Sequence, residues 1–218
     1  MEQHTIDFQF TGRYFKLGQI SAETRAVWFV LHGYGQLAQY FLRKFKTLEE
    51  HGVCVIAPEG LSHYYLEDAS ARSKSGDTRV GASWMTRENR LNDIQNYLTY
   101  LDAVFRHEIG INKNLDVTLC GFSQGAATAS RWSLSSGIYF RRLILWAGIL
   151  PPDMDFEMGK LLLKDKDVKV VYGSNDPFVS ASRFGEMKAL SEKLQIKPDE
   201  IVFEGGHEIH QPTLLSLR

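Results

Sequence analysis

The chain has 218 residues, 44% of them hydrophobic, which is enough for one domain with a large buried core. Its formal net charge is -1, so no global field favours nucleic acid or an anionic membrane surface. No apolar run approaches the roughly 20 residues that span a bilayer. The N-terminus lacks a basic start followed by an apolar core, so a soluble cytoplasmic protein is the expectation.

Residues 5–17 alternate apolar and polar around Gly12 and read as a pair of antiparallel edge strands. Residues 26–31 are continuously apolar, as a strand covered on both faces should be. His32-Gly33-Tyr34-Gly35 follows. Residues 37–50 carry Leu37, Tyr40, Phe41, Phe45 and Leu48 at helical spacing, and Gly52 ends that helix. Residues 53–57 form the next buried strand, stopped by Pro58. Residues 59–86 are rich in Ser, Gly, Asp and Tyr without a period, and so long an irregular segment is functional or mobile. Residues 87–108 are a long helix with Leu91, Ile94, Leu98, Leu101, Val104 and Phe105 on one stripe.

The stretch from Asp116 to Trp132 organises the rest. A short apolar strand ends at Cys120, Gly121-Phe122-Ser123-Gln124-Gly125 follows, and a run of small helix-compatible residues begins at Ala126. A strand, a G-x-S-x-G and a helix in that order are what a nucleophile elbow needs. The tight turn lifts the serine clear of its backbone, so the positions two before and two after it must lack bulk, and both are glycine. The helix N-terminus below the serine favours developing negative charge. A bare G-x-S-x-G also arises as a Gly-rich turn with an incidental serine; the flanking elements and downstream partners favour the elbow.

Beyond it, residues 143–147 are a buried strand ended by Gly148, and Pro151 and Pro152 open a second variable segment. Residues 168–172 are a strand, 180–195 a helix, 199–203 the last strand, and 208–217 a closing helix. Buried strands alternating with amphipathic helices give an α/β fold: one domain over 1–218, with a mostly parallel central sheet and helices on both faces. Cys54 and Cys120 each end a strand and read as buried apolar thiols. Polar groups at the C-terminal ends of the strands should converge.

A nucleophilic Ser123 needs a base, and the base needs an orienting carboxylate. Asp176 follows the 168–172 strand in Gly173-Ser-Asn-Asp-Pro177, and His207 follows the last strand after Gly205-Gly206. The order Ser, Asp, His is that of the α/β-hydrolases. Asp153 or Asp155 is the alternative acid, and His210 the alternative base. The backbone N–H of Gln124 and that of Tyr34, freed by its flanking glycines, are the candidate oxyanion donors. His32 precedes that turn and reads as a structural hydrogen-bonding residue.

Leu31-His-Gly-Tyr-Gly35, Gly-Phe-Ser-Gln-Gly125, Gly173-Ser-Asn-Asp-Pro177 and Gly206-His-Glu-Ile209 together resemble the phospholipase/carboxylesterase family of α/β-hydrolases, which includes acyl-protein thioesterases. The resemblance implies an α/β-hydrolase fold and a serine esterase, with Ser123, Asp176 and His207 as triad and the amides of Tyr34 and Gln124 as oxyanion hole. Residues 59–85 depart from the family's substrate-loop pattern, and Ala126 stands where a second glycine is common. The machinery therefore carries over and the substrate does not.

The two variable segments should line the acyl site, with Tyr64, Tyr65, Trp84 and Met85 from one and Leu150, Met154 and Phe156 from the other. The same side chains would serve equally to pack the loops down. Arg79 or Arg87 would pair a carboxylate or phosphate on the substrate, or else serve as a surface charge or in an internal ion pair. No H-E-x-x-H or CxxC spacing is present, so neither a metal nor a cofactor is expected. The expected partner is a small ester or thioester. A non-catalytic binding protein on the same scaffold, a lipid- or peptide-directed hydrolase, and a homodimer through the variable loops stay open.

Overall fold

In the computed structural model, which describes residues 1–70, 73, 78–110 and 114–218, the apolar runs become the inner strands of one sheet. The strands are β1 (Tyr14–Leu17), β2 (Ala26–Leu31), β3 (Val53–Pro58), β4 (Ser62–Tyr65), β5 (Val80–Ser83), β6 (Asp116–Phe122), β7 (Arg142–Trp146), β8 (Asp167–Gly173) and β9 (Asp199–Phe203). The main sheet has seven of them in the order β1-β3-β2-β6-β7-β8-β9, with β1 antiparallel to β3 and every other neighbouring pair parallel. β4 and β5 form an antiparallel hairpin, and Ala82 of β5 also bridges to Gln36.

The helices are α1 (Ala38–Leu42), α2 (Lys46–Glu49), α3 (Arg90–Ile109), α4 (Gln124–Trp132), α5 (Phe156–Leu163), α6 (Ala181–Leu194) and α7 (Gln211–Ser216). Strand alternation splits the core into two layers. Val27, Phe29 and Leu31 of β2 face Tyr97, Leu101 and Phe105 of α3 and Trp132 of α4. Trp28 and Val30 face Phe41, Phe45 and Leu48 on the other side. Burying each such side chain stabilises the fold by roughly 1.5–3 kcal/mol. Three of the buried indole N–H groups donate to identified acceptors: Trp132 to Asp102, Trp146 to the Glu208 carbonyl and Trp84 to the His32 carbonyl.

Four expectations need correction. Of residues 5–17 only Tyr14–Leu17 is a strand, because alternation without a partner strand does not make one; Ile6, Phe8 and Phe10 are exposed. The 37–50 helix is broken by a tighter turn at Arg43–Phe45. Leu42, Phe45 and Leu48 recur every three residues, and a three-residue turn keeps all three against the sheet. The irregular 59–86 segment contains the β4–β5 hairpin. The second variable segment contains α5, started by Asp155, whose Oδ1 accepts the Met158 N–H at 2.9 Å.

The strand order reverses between β2 and β6. The connections leaving their C-terminal ends, His32–Gly35 and Ser123, therefore open a crevice between them.

Candidate active site

β6 ends at Phe122 and α4 begins at Gln124, so Ser123 alone makes the turn. Its φ of +55° with ψ of -115° is a strained conformation for a residue with a side chain. A Cβ at Gly121 would lie 2.1 Å from the Gly125 carbonyl oxygen, and one at Gly125 would lie 2.2 Å from that of Leu31. Neither position admits any other residue. The Ser123 N–H donates to the Trp146 carbonyl at 2.8 Å, which ties the turn to β7.

Asp176 and His207 arrive from the ends of β8 and β9. Gly173 lets the two loops touch, since a Cβ there would be 2.3 Å from the Gly205 carbonyl oxygen. His207 Nδ1 lies 2.8 Å from Asp176 Oδ2, and the other carboxylate oxygen accepts the Phe178 N–H at 2.9 Å. Asp176 is 5% exposed. A carboxylate only accepts, so the imidazole proton sits on Nδ1 and Nε2 is left as the basic atom. The His207 ring is clamped between Phe122 at 4.8 Å and Phe178 at 4.7 Å. Phe122 directly precedes Ser123, so the clamp holds the imidazole beside the elbow. Ser123 Oγ and His207 Nε2 are not hydrogen-bonded to each other, a bond that often tightens only around substrate.

The Tyr34 turn lies against the serine: a Cβ at Gly33 would be 3.2 Å from Ser123 Cβ. The Gly33 N–H donates to Gln36 Oε1 at 2.8 Å and the Gly35 N–H to the Ala82 carbonyl at 2.9 Å. Among the described residues, the N–H groups of Tyr34 and Gln124 have no acceptor. His32 is fully buried and braces this turn. It accepts the Gly60 N–H on Nε2 at 2.9 Å, so Nδ1 carries the proton and donates to the Gly33 carbonyl at 2.8 Å. Burial pushes its pKa down to about 4, outweighing the Gly33 bond and the attraction of Glu59, so it is neutral and engaged rather than available as a base.

The Gln124 side chain has a role that the sequence motif does not display. Its Oε1 accepts the Trp84 N–H at 3.1 Å, and its Nε2 donates to the Met85 carbonyl at 2.8 Å. The residue whose backbone faces the crevice thus straps down the end of the hairpin. The alternative acids and base are occupied elsewhere. Asp153 pairs with Arg131 and Arg90, Asp155 caps α5, and His210 bonds Thr213 and stacks on Phe203.

The candidate acyl-site residues separate. Leu150 lines a cavity that opens at Ser123. Trp84 and Met85 anchor Gln124 through backbone, and Met85 Sδ also accepts from Arg131 Nη1 at 3.8 Å. Phe156 is not among the lining residues of that cavity; it packs against the core beneath Lys193. Tyr65 is exposed on β4, and the Tyr64 ring lies tilted against Tyr34 at 5.2 Å. Met154 is buried in the core. Arg79 pairs with Glu67, and Arg87 is exposed away from the cavity. Phe178 was not apparent from sequence; its signal is an aromatic residue directly after Asp176-Pro177. Among the described residues no helix is long and apolar enough to cross a membrane.

The strand order, the elbow and the converging strand-end loops define an α/β-hydrolase fold. The chain belongs to the Phospholipase/Carboxylesterase family, whose profile matches residues 18–218. No curated protein matches it. Solved structures share the fold at low identity. Acyl-protein thioesterase 2 from Zea mays superposes with a TM-score of 0.68 at 15% identity, covering 95% of this chain and 96% of that one. Esterase PE8 gives 0.66 at 18%, covering 95% and 96%. The Bacillus cereus carboxylesterase gives 0.65 at 16%, covering 94% and 91%.

Proposed function

We propose that this protein is a serine hydrolase that cleaves carboxylic esters or thioesters through an acyl-enzyme on Ser123. The observation that carries the reading is the 2.8 Å bond between His207 Nδ1 and the buried Asp176 carboxylate, beside a serine held at positive φ. His207 Nε2 takes the Ser123 hydroxyl proton as Oγ bonds the acyl carbon. The oxyanion that forms accepts the N–H groups of Tyr34 and Gln124, each such donor lowering the barrier by about 3 kcal/mol. Collapse breaks the bond to the alcohol or thiol, which leaves with the proton from His207. Water then attacks the acyl carbon, giving its proton to Nε2, and the acid is released as Ser123 regains its own. Asp176 holds the imidazole in the tautomer that both steps need.

Hydrolysis of aryl esters of increasing acyl length tests this. Ser123→Ala and His207→Ala should each lose at least about 1000-fold in kcat, with Asp176→Asn reduced and still folded. Ser123→Ala turning over at the wild-type rate would refute the assignment.

A further inference from the structure

The cavity that opens from Ser123 holds two guanidinium groups. Its volume is about 280 Å³, it runs from Ser123 and Gln124 toward the β7–α5 connection and the start of α6, and it fits a short chain of a few carbons. Ile149, Leu150 and Pro151 make an apolar wall, while Arg131 and Arg183 enter from α4 and α6.

Arg131 is nine-tenths buried, with a side chain 10% exposed. Its Nη2 donates to Asp153 at 2.7 Å and its Nη1 to the Tyr97 hydroxyl at 3.3 Å, but its buried Nε has no partner. Asp153 is shared with Arg90, so one carboxylate faces two guanidinium groups. Arg183 is exposed in the first turn of α6, and among the described residues no carboxylate lies within ion-pair distance of it. Glu186, one turn further on, lines the same cavity and does not pair with it. Of the charged groups lining the cavity, two are positive and one is negative, and the N-terminus of the 14-residue α6 adds partial positive charge at the same place. A planar guanidinium with free donors suits a carboxylate, which it can hold with two parallel hydrogen bonds.

We propose that this cavity is a carboxylate subsite, and that the ester or thioester cleaved at Ser123 carries a carboxylate a few bonds from its scissile carbonyl, held by Arg183. The proposal rests on Ser123 being the nucleophile. The test compares monoethyl glutarate with the ethyl ester of glutaric acid monoamide, a neutral isostere, by ethanol release. O-butyryl glycolate against ethyl butyrate moves the anion to the leaving-group side. Wild type should favour one anionic ester over its neutral partner by about fivefold in kcat/KM, and added salt should erode that preference. Arg183→Met should abolish it while leaving the neutral esters within about twofold, and Arg183→Lys should keep part of it. Turnover of all four esters without an anionic preference, or a preference that survives Arg183→Met, overturns the subsite and leaves the Ser123 reading intact. Calorimetry gives a readout that needs no turnover. Ser123→Ala should bind the preferred anionic ester, and the Ser123→Ala, Arg183→Met double variant should bind it about fivefold more weakly. No binding of either anionic ester to Ser123→Ala overturns the subsite whatever the activity of the wild type.

Discussion

The elbow at Gly121–Gly125 and the hairpin segment that faces it reach the same crevice by opposite means. The elbow is fixed by backbone contact. Its glycines pack within van der Waals distance of neighbouring carbonyls, and Ser123 has no room to relax out of positive φ. The hairpin is fixed at its feet by side chains, with one backbone bridge from Ala82 to Gln36. Glu59, 1% exposed, receives Arg13 at 2.5 Å, His63 at 2.8 Å and the Ala38 N–H at 2.8 Å, while Gln124 ties down Ser83–Met85 at the other foot. Between the feet, β4 is largely exposed. The region proposed for bond cleavage is thus built from contacts that tolerate no substitution. The hairpin has such close contacts at Gly60 and Gly81, where a Cβ would meet the Ser83 and Gly35 carbonyl oxygens at 2.6 Å, but its feet are held by side chains that can be exchanged singly.

The largest effect should come from the backbone side. Gly121→Ala puts a methyl group 2.1 Å from a carbonyl oxygen, and we expect about 4 kcal/mol or more of destabilisation, read as lost soluble yield or a collapsed urea midpoint. A well-folded variant with wild-type stability would mean that the elbow has room to relax.

Glu59→Ala should follow, at about 3 kcal/mol by urea denaturation, because it strips a buried carboxylate from three donors at once. Burial alone would raise the Glu59 pKa, but the bonds from His63, Arg13 and the Ala38 N–H outweigh it and hold the carboxyl below its ordinary range. Its contribution is therefore present above the ordinary carboxylate pKa and is lost as pH falls through the lowered one.

His32 joins the two regions, and its effect is one of pH. Its folded pKa is lowered from 6.5 to about 4, so between those values the unfolded chain takes up a proton that the folded chain refuses. Stability is unaffected above pH 6.5 and declines as pH falls below it, by about 3 kcal/mol on reaching the lower value. Urea denaturation at pH 7.5 and 4.5 should show His32→Asn less stable than wild type at the higher pH, with the gap narrowing at the lower. A constant gap would mean that His32 does not resist protonation.

The smallest effect on stability, about 1 kcal/mol, is expected for Gln124→Ala, which keeps the backbone N–H and cuts the strap. Its consequence should appear as about tenfold lower kcat on short esters and faster limited proteolysis within residues 59–86. Unchanged proteolysis would mean that the hairpin is anchored independently.

What could be read from sequence follows the same division. The inner strands were legible because both faces are buried and the runs are continuously apolar. The elbow was legible because only glycine fits its flanks. Asp176 and His207 follow from strand-end position, and the structure brings them to 2.8 Å. The hairpin was not legible, since Ser62-His-Tyr-Tyr65 lacks alternation and its partner lies far along the chain. Residues 5–11 misled in the other direction, with alternation and no strand to pair. Phe156 looked like a substrate contact because an aromatic residue in a variable segment carries no mark of which side it faces. The clamp of Phe122 and Phe178 around His207 depends on three elements meeting, which no local pattern records.

The most direct measurement is labelling with a fluorophosphonate probe, which reports an activated serine without presuming a substrate. Folded wild-type protein should label stoichiometrically on the peptide containing Ser123. Ser123→Ala, folded by circular dichroism, should not label. Absence of labelling in folded wild type, or undiminished labelling of Ser123→Ala, would contradict Ser123 as the nucleophile.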